Sequence, residues 1–433
     1  MRFLQRRPGA GAGRVLLLLG LVGVAALLSV GGGSALADRR IHRHRDRHRC
    51  HGRSPTRGGH PRPAACPRQP KNPAAQRRAL AARRAVELYE AMQRAFFLPQ
   101  LGLYREALNT NEPSFLWPFS QGFGATVAVA YLPGEQTRLQ PVLKSELGGL
   151  QTYLNTRVPA AVASRVALQS LPHFNATIAS LGEGETAFYD DNDWVGLELV
   201  RLYELTKEAS VLALAEQVMQ FEITGWDGTP SLPCPGGIPH SDNAEDPKRS
   251  TISTAPAAEL AVKLYKLTGN QSYLQFARTA YAWVRSCLLN GEGLYSDHLE
   301  ADGETDPEIW SYTQGVMIGA GALLYQATGE AAYLQQAEAT SAIAFNHFPL
   351  PQLAVENPFF VWIYLRNQLY LDGLINSPQA LAATQEYLNW AWENLLEGGR
   401  LVLSATGAPT VLLGQAAYVQ LYALLALKPS QYL

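Results

Sequence analysis

Leu264-Tyr265-Lys266-Leu267-Thr268-Gly269, running on into Ser272-Tyr273-Leu274, decides the fold because it recurs. Leu324-Tyr325-Gln326-Ala327-Thr328-Gly329 repeats it and leads into Ala332-Tyr333-Leu334. Leu202-Tyr203-Glu204-Leu205-Thr206 repeats its core, and the three tyrosines stand 62 and 60 residues apart. Self-similarity at a fixed spacing marks stacked supersecondary units, none of which buries its apolar face alone. Each unit reads as two helices joined by a short Thr-Gly turn.

Working outward, apolar residues three and four apart predict helices near 114–131, 193–205, 253–268, 310–328, 358–374 and 409–427. All but the last lead through a short turn into a partner, near 135–155, 208–223, 271–288, 331–346 and 378–396. The last is expected to pair with a helix near 74–96. Six hairpins then close into an all-α ring, an (α/α)6 toroid with the first helix of each hairpin inside. Connections leading into the inner helices are often long, as from Gly225 to Arg249 and from Asn290 to Glu308. Long loops commonly carry function, and these gather at one rim with the N-termini of the inner helices.

The chain of 433 residues is 47% hydrophobic and 17% charged, which excludes wholesale disorder, a collagen-like fibre and a polytopic membrane protein. Its formal net charge of -1 averages three unlike parts. Residues 1–37 carry four arginines and no acid, residues 38–84 carry 15 Lys/Arg against two acids, and residues 85–433 carry 17 against 35. The first part places Arg2, Arg6, Arg7 and Arg14 before an apolar run from Val15 to Val30 and then Ala35-Leu36-Ala37. That order is a signal peptide for export, cleaved after Ala37, or else a retained anchor. Either puts the rest of the chain outside the cytoplasm, secreted or associated with the cell envelope.

The basic stretch has no aromatic residue, six prolines and five of the nine histidines. It cannot offset its ordering entropy by burial, so residues 38–73 are expected to form a flexible linker leading into a folded domain over 74–433. Electrostatic association with anionic cell envelope and metal capture by His42, His44, His48 and His51 are the sharper readings, against a solvated spacer. Nucleic acid is not an expected partner, since no recognition module accompanies the charge. Export permits disulfides, but Cys50, Cys66, Cys234 and Cys287 allow three pairings and the sequence does not choose. Oligomeric state is equally open.

At the rim stands Phe188-Tyr189-Asp190-Asp191-Asn192-Asp193-Trp194, just before Val195, Leu197, Leu199, Val200 and Leu202. Asp and Asn favour helix starts, so an N-cap is one reading. The other is a carboxylate pair for glycoside hydrolysis. Neighbouring α-carbons lie about 3.8 Å apart, and splayed side chains can reach the roughly 5 to 5.5 Å that a retaining double displacement needs. Mutual repulsion also separates the two pKa values, so one acid attacks while the other holds a proton. Trp117, Trp194, Trp310 and Tyr312 fall at starts of inner helices, with Gln121 and Gln314 about a turn inside. Stacking and polar groups of this kind suit sugar rings, as core packing is the alternative. Asn192 and His240 complete the candidate substrate-binding set. The acidic run Asp297, Glu300, Asp302, Glu304, Asp306 misses the EF-hand spacing and reads as a solvated loop. No P-loop, dinucleotide fingerprint or H-E-x-x-H occurs, so neither cofactor nor metal is expected.

Tyr189-Asp190-Asp191 with Trp194, Gly236-Gly237-Ile238, Trp310-Ser311-Tyr312-Thr313-Gln314-Gly315 and the Leu-Tyr-x-x-Thr-Gly turns resemble glycoside hydrolase family 76, the endo-α-1,6-mannanases and their relatives. The resemblance covers roughly 85–427. It implies an (α/α)6 barrel that cleaves α-1,6-linked mannan with retention and without metal, with Asp190 as nucleophile and Asp191 as general acid/base. Members of that family commonly carry a small residue and a second Trp where this chain has Asp193 and Val195. They carry aromatics where it has Pro239-His240, a Lys-Gly where Val361-Trp362 precede Arg366, and Asn at Thr313. These departures touch the sugar-contacting shell and spare the paired acids. An exported retaining glycosidase acting on mannan or envelope glycan is therefore the leading expectation. A cell-envelope transglycosylase and a catalytically silent carbohydrate-binding toroid are the alternatives.

Overall fold

The computed structural model describes residues 72–163, 168–178, 186–401, 411–428 and 431–432. The expected signal segment, most of the expected linker, its histidines, Cys50 and Cys66 lie outside the described residues. No helix among the described residues is long and apolar enough to cross a membrane.

The helices in chain order are α1 (Pro73–Phe96), α2 (Leu116–Ala130), α3 (Glu135–Leu150), α4 (Ala160–Ala163), α5 (Tyr189–Thr206), α6 (Ala209–Gly225), α7 (Thr251–Thr268), α8 (Gln271–Cys287), α9 (Ser311–Thr328), α10 (Ala331–His347), α11 (Leu350–Leu353), α12 (Pro358–Ile375), α13 (Gln379–Asn394) and α14 (Leu412–Ala426). α4 and α11 are single turns. The inner helices α2, α5, α7, α9, α12 and α14 each pack on the next, and α14 packs on α2, so the ring closes. The outer helices α3, α6, α8, α10 and α13 lie against their inner partners, and α1 lies against α14. The expected toroid and its hairpin pairing are thus present, in the all-α class predicted.

Why these residues build it is plain in the burial pattern. From Ser311 to Leu324 every residue of α9 is buried, as is all of α14 from Leu412 to Leu425. A helix apolar on all sides belongs in an interior. Outer α8 instead buries one stripe, Leu274, Ala277, Ala280, Tyr281, Trp283 and Val284. Gly315 lets two inner helices approach, since a Cβ there would lie 2.7 Å from the Tyr364 Cα of α12.

The recurring turn has one construction. The Gly269 N–H donates to Tyr265 O and the Gly329 N–H to Tyr325 O, both at 2.8 Å, with each glycine left-handed at φ 74° and 73°. Thr268 and Thr328 Oγ1 donate back to Leu264 O and Leu324 O at 2.8 Å. The third copy keeps the geometry with Lys207 at φ 60° in the glycine position, its N–H bonding Tyr203 O at 2.7 Å.

The start of α1 agrees with the helix expected near 74–96, whereas that of α5 differs from expectation. The last residues of the basic stretch are helical, because Asn72 caps α1 by accepting the Ala75 N–H at 3.0 Å and Pro73 opens the helix. Arg84, within that stretch, lies 4.2 Å over the Trp392 ring. In addition, α5 begins at Tyr189, not 193, which brings Asp190 and Asp191 into its first turn. Phe188 occupies the cap position and no side chain caps the helix, so the N-cap reading of the acidic run does not hold.

Four short antiparallel ribbons lie in connections that lead into inner helices: β1 (Phe97–Leu98) with β2 (Leu103–Tyr104), β3 (Leu154–Asn155) with β4 (His173–Phe174), β5 (Arg249–Ser250) with β6 (His298–Leu299), and β7 (Leu396–Glu397) with β8 (Arg400–Leu401). The β5–β6 pair, registered Arg249 to Leu299 and Ser250 to His298, ties the two long loops together at the heads of α7 and α9.

Candidate active site

The loop over 226–248 is held from beneath. The fully buried Arg249 donates to Pro233 O, Cys234 O and Gly236 O at 2.6 to 2.7 Å. Cys234 is bonded to Cys287 at the end of α8, which settles one disulfide pairing, and Trp283 Nε1 donates to Cys234 O at 3.0 Å. Gly236 and Gly237 run over the Trp283 ring with φ of 118° and 85°, where a Cβ would fall within 2.6 Å of it. From this base the chain presents His240, whose backbone accepts from Tyr189 N at 3.2 Å and donates to Lys248 O at 3.0 Å.

His240 therefore faces the head of α5. Its Nε2 lies 4.0 Å from Asp190 Oδ1, and its Nδ1 lies 3.7 Å from Asp246 Oδ2. Burial alone would lower the imidazole pKa, but the Asp246 and Asp190 carboxylates outweigh it and raise it. Asp190 is partly buried and Asp191 buried. Burial raises both acids above the ordinary carboxylate range. For Asp190 the His240 charge opposes this and Asp297 adds to it; for Asp191 the Asp190 charge adds to it, leaving Asp191 well above. The two acids are thus unequal: the imidazole beside Asp190 opposes its upward shift, whereas the Asp190 charge adds to that of Asp191.

Asp297 is the principal residue that the sequence analysis missed. It was assigned to a solvated loop, yet it is buried, and Tyr312 Oη donates to its Oδ1 at 2.5 Å. Its backbone oxygen accepts from Thr251 N at 2.8 Å at the head of α7, which pulls it out of the loop and into the rim. His298 stands among Asp297 (3.0 Å), Glu300 (2.9 Å) and Asp306 (3.5 Å). Burial would lower His298, but these carboxylates hold it above its ordinary pKa. Burial would likewise raise Asp297, but the His298 and Tyr312 hydrogen bonds bring it below. Asp297, His298 and Asp306 bring donor atoms within 4.8 Å of one another, the spacing of an ion site. The His298 imidazole already meets Asp297, Glu300 and Asp306 there.

An aromatic wall borders these acids. Trp310 stacks on Tyr312 with centroids 6.3 Å apart, Tyr312 meets Phe360 at 4.4 Å, and Phe359 meets Trp117 edge-on at 5.3 Å. Trp117 and Trp310 are half-buried, which leaves part of each ring accessible. Phe359 and Phe360, in the first turn of α12, were not anticipated. Their signal was available in Asn357-Pro358, a helix start at the same rim.

Four other candidates are buried among protein neighbours instead. The Asn192 side chain accepts from Phe174 N and donates to Phe174 O, both at 2.9 Å, and Gln314 treats Tyr295 N and O in the same way at 2.8 and 2.9 Å. Thr254 of α7, accepting from Ile238 N at 3.0 Å, and Gln415 of α14, accepting from Leu401 N at 3.2 Å, stand at the same fourth helical position. This recurring clamp pins the incoming chain to an inner helix, so Asn192 and Gln314 are structural. Gln121 is buried between α2 and α14, where it accepts from Gln420 Nε2 at 3.1 Å. Trp194, 3% exposed, lies inside the ring with Arg366 5.8 Å from its centroid. Buried polar groups take protein partners when no ligand reaches them.

The glycosyl hydrolase family 76 profile matches residues 74–391. The chain belongs to glycoside hydrolase family 76. Among its relatives in the family, mannan endo-1,6-alpha-mannosidase DCW1 of Candida glabrata is 25% identical over 202 residues, 42% of this chain and 45% of that protein. Mannan endo-1,6-alpha-mannosidase DFG5 of Saccharomyces cerevisiae is 31% identical over 126 residues, 27% of each. The matches thus span less than half the length of these relatives. In solved structures, a family 76 mannosidase from Bacteroides thetaiotaomicron superposes with a TM-score of 0.69 at 24% identity, covering 80% of this chain and 98% of that one. An inactive variant of a Salegentibacter α-1,6-mannanase, with two adjacent aspartates replaced by asparagine and α-1,6-mannotriose bound, gives 0.64 at 22% identity, over 80% and 99%. At such identity the structural likeness establishes the fold.

Proposed function

We propose that this family 76 chain is an exported retaining glycosidase that cleaves α-1,6-mannosidic linkages in mannan or envelope glycan. The observation that carries the reading is the asymmetry of the paired acids. Asp190 has the His240 imidazole 4.0 Å away to favour its anion, whereas burial and then the Asp190 charge both oppose ionisation of Asp191. Asp190 is accordingly the nucleophile and Asp191 the general acid/base. Successive helical side chains point about 100° apart, so two first-turn neighbours can flank one glycosidic bond.

In the first step an Asp190 oxygen bonds to the anomeric carbon while the glycosidic C–O bond breaks and Asp191 gives its proton to the leaving oxygen. In the second, Asp191 takes a proton from water, whose oxygen displaces Asp190 and restores both acids. Asp297, oriented by Tyr312 and His298, can accept hydrogen bonds from sugar hydroxyls, and the Trp117–Phe359–Phe360–Trp310 wall can stack on sugar faces. The mannan-active relatives support the choice of substrate, as does the bound mannotriose in a structural neighbour. Association of the basic linker with anionic envelope belongs to the same proposal.

The test is incubation with linear α-1,6-mannan while the new anomer is followed by NMR. The expected first product is the α anomer, and a β anomer at first sampling overturns the retaining assignment. Longer oligosaccharides on addition of acceptor would identify a transglycosylase. Binding with no product would identify the carbohydrate-binding alternative.

A further inference from the structure

Behind the catalytic pair, α5 and α6 bury two more carboxyls that the mechanism does not use. Asp193 and Glu222 are both wholly inaccessible; neither Glu222 oxygen has a hydrogen-bond partner, and Asp193 has no side-chain partner, the Ala257 backbone N–H of α7 alone acting on it. Asp193 stands three residues after Asp190, one turn deeper on the same side of α5. Glu222 reaches in from α6, the outer partner of the same hairpin.

The charges facing them offer no compensation. Asp190 and Glu259 of α7 act on Asp193, and Asp193 and Asp190 act on Glu222, all acidic. Arg366 of α12 is engaged by Glu259 at 2.8 Å and lies between the Trp194 and Trp362 rings, each centroid 5.8 Å away. Lys263 of α7 acts on Glu259. His173 of β4 stacks on Phe221 beside Glu222, and burial lowers its pKa, so it brings no charge. His240 is spent on Asp190 and Asp246. Two unpaired anions in such a place are prohibitively costly. A proton removes the charge of each group and lets an acceptor-only carboxylate donate as well as accept.

We propose that Asp193 and Glu222 form a buried pair of protonated carboxyls that act as positioning residues, holding the head of α5 against α6 without adding charge behind Asp190. An ionised Asp193 would oppose the charge that Asp190 needs for attack. That consequence rests on the assignment of Asp190 as nucleophile; the protonation itself does not.

The intact chain is examined by infrared spectroscopy in H2O and D2O at neutral pH. A deuterium-sensitive protonated-carboxyl C=O band is expected, and it loses one group's share in Asp193→Asn and again in Glu222→Gln. A wild-type spectrum without that band overturns the proposal, and so does a band that neither variant diminishes. This readout needs no substrate, so it stands even if mannan is not turned over.

Thermal stability against pH supplies a second readout. An acid whose folded pKa is raised stabilises fully below its unfolded pKa of about 4, and that contribution is lost as pH rises towards the folded value. The wild type should therefore lose stability above about pH 4 more steeply than the doubly substituted chain. Parallel curves would mark a role in packing alone and overturn the proposal. Finally, the acid limb of kcat/KM stays in place in Asp193→Asn if Asp193 is neutral. A downward shift of about one pH unit shows that a negative charge was removed and overturns it.

Discussion

His240 Nε2 lies 4.0 Å from Asp190 Oδ1 at the head of α5, across from the Asp246 carboxylate that holds the other face of the imidazole. The contact distinguishes two aspartates that are chemically identical and adjacent in sequence. Burial pushes both upward, and only Asp190 has a cation beside it to stabilise its anion.

Removing that cation has a directional consequence. In His240→Gln the Asp190 pKa rises, so the acid limb of kcat/KM moves to higher pH by about one unit. The pH–rate profile checks this, and an unmoved limb means that the imidazole does not act on Asp190.

The two acids should fail differently. Asp190→Asn removes the atom that attacks and lowers turnover of any glycoside by roughly a thousandfold or more, with the fold retained by circular dichroism. Asp191→Asn lowers mannan hydrolysis comparably. With an activated aryl mannoside, whose leaving group needs no proton, the glycosylation step survives and a burst of aryl alcohol appears. Equal loss on both substrates would count against Asp191 as the proton donor.

Tyr312→Phe deletes the hydroxyl that donates to Asp297 Oδ1 at 2.5 Å while keeping the ring in the aromatic wall. Loss of a hydrogen bond to a charged acceptor costs about 1.5–3 kcal/mol. A fall in kcat/KM of roughly ten- to a hundredfold is expected. Asp297→Asn should act in the same direction, and steady-state kinetics with both variants would show whether the two residues work as one unit.

The Cys234–Cys287 bond fastens the loop that carries His240 to the end of α8. Cys234→Ser with Cys287→Ser should lower unfolding stability by about 2–4 kcal/mol. It should also increase protease cleavage within 226–248, whereas cleavage elsewhere stays as it was. Denaturant titration and mapping of the cut sites measure the two effects.

How much of this was legible beforehand follows from the range of the interactions. Helical periodicity, the Leu-Tyr-x-x-Thr-Gly turns and the short hairpin links act over a few residues, so the sequence by itself determined the toroid and placed Asp190 and Asp191 at one rim. It also marked Trp117, Trp310, Tyr312 and His240 for that rim. What only the tertiary structure decided was where individual side chains point. Asn192 and Gln314 looked like sugar ligands, but each spends its amide on the backbone of the incoming chain 18 or 19 residues earlier. Asp297 looked solvated, but Thr251 N and Tyr312 Oη, distant in sequence, turn it inward. Asp193 read as one more acid in a helix-start run, whereas the ring buries it beside Glu222. Local spacing specifies a helix and its faces; the partners and burial of a polar group depend on which segments the closed ring brings together.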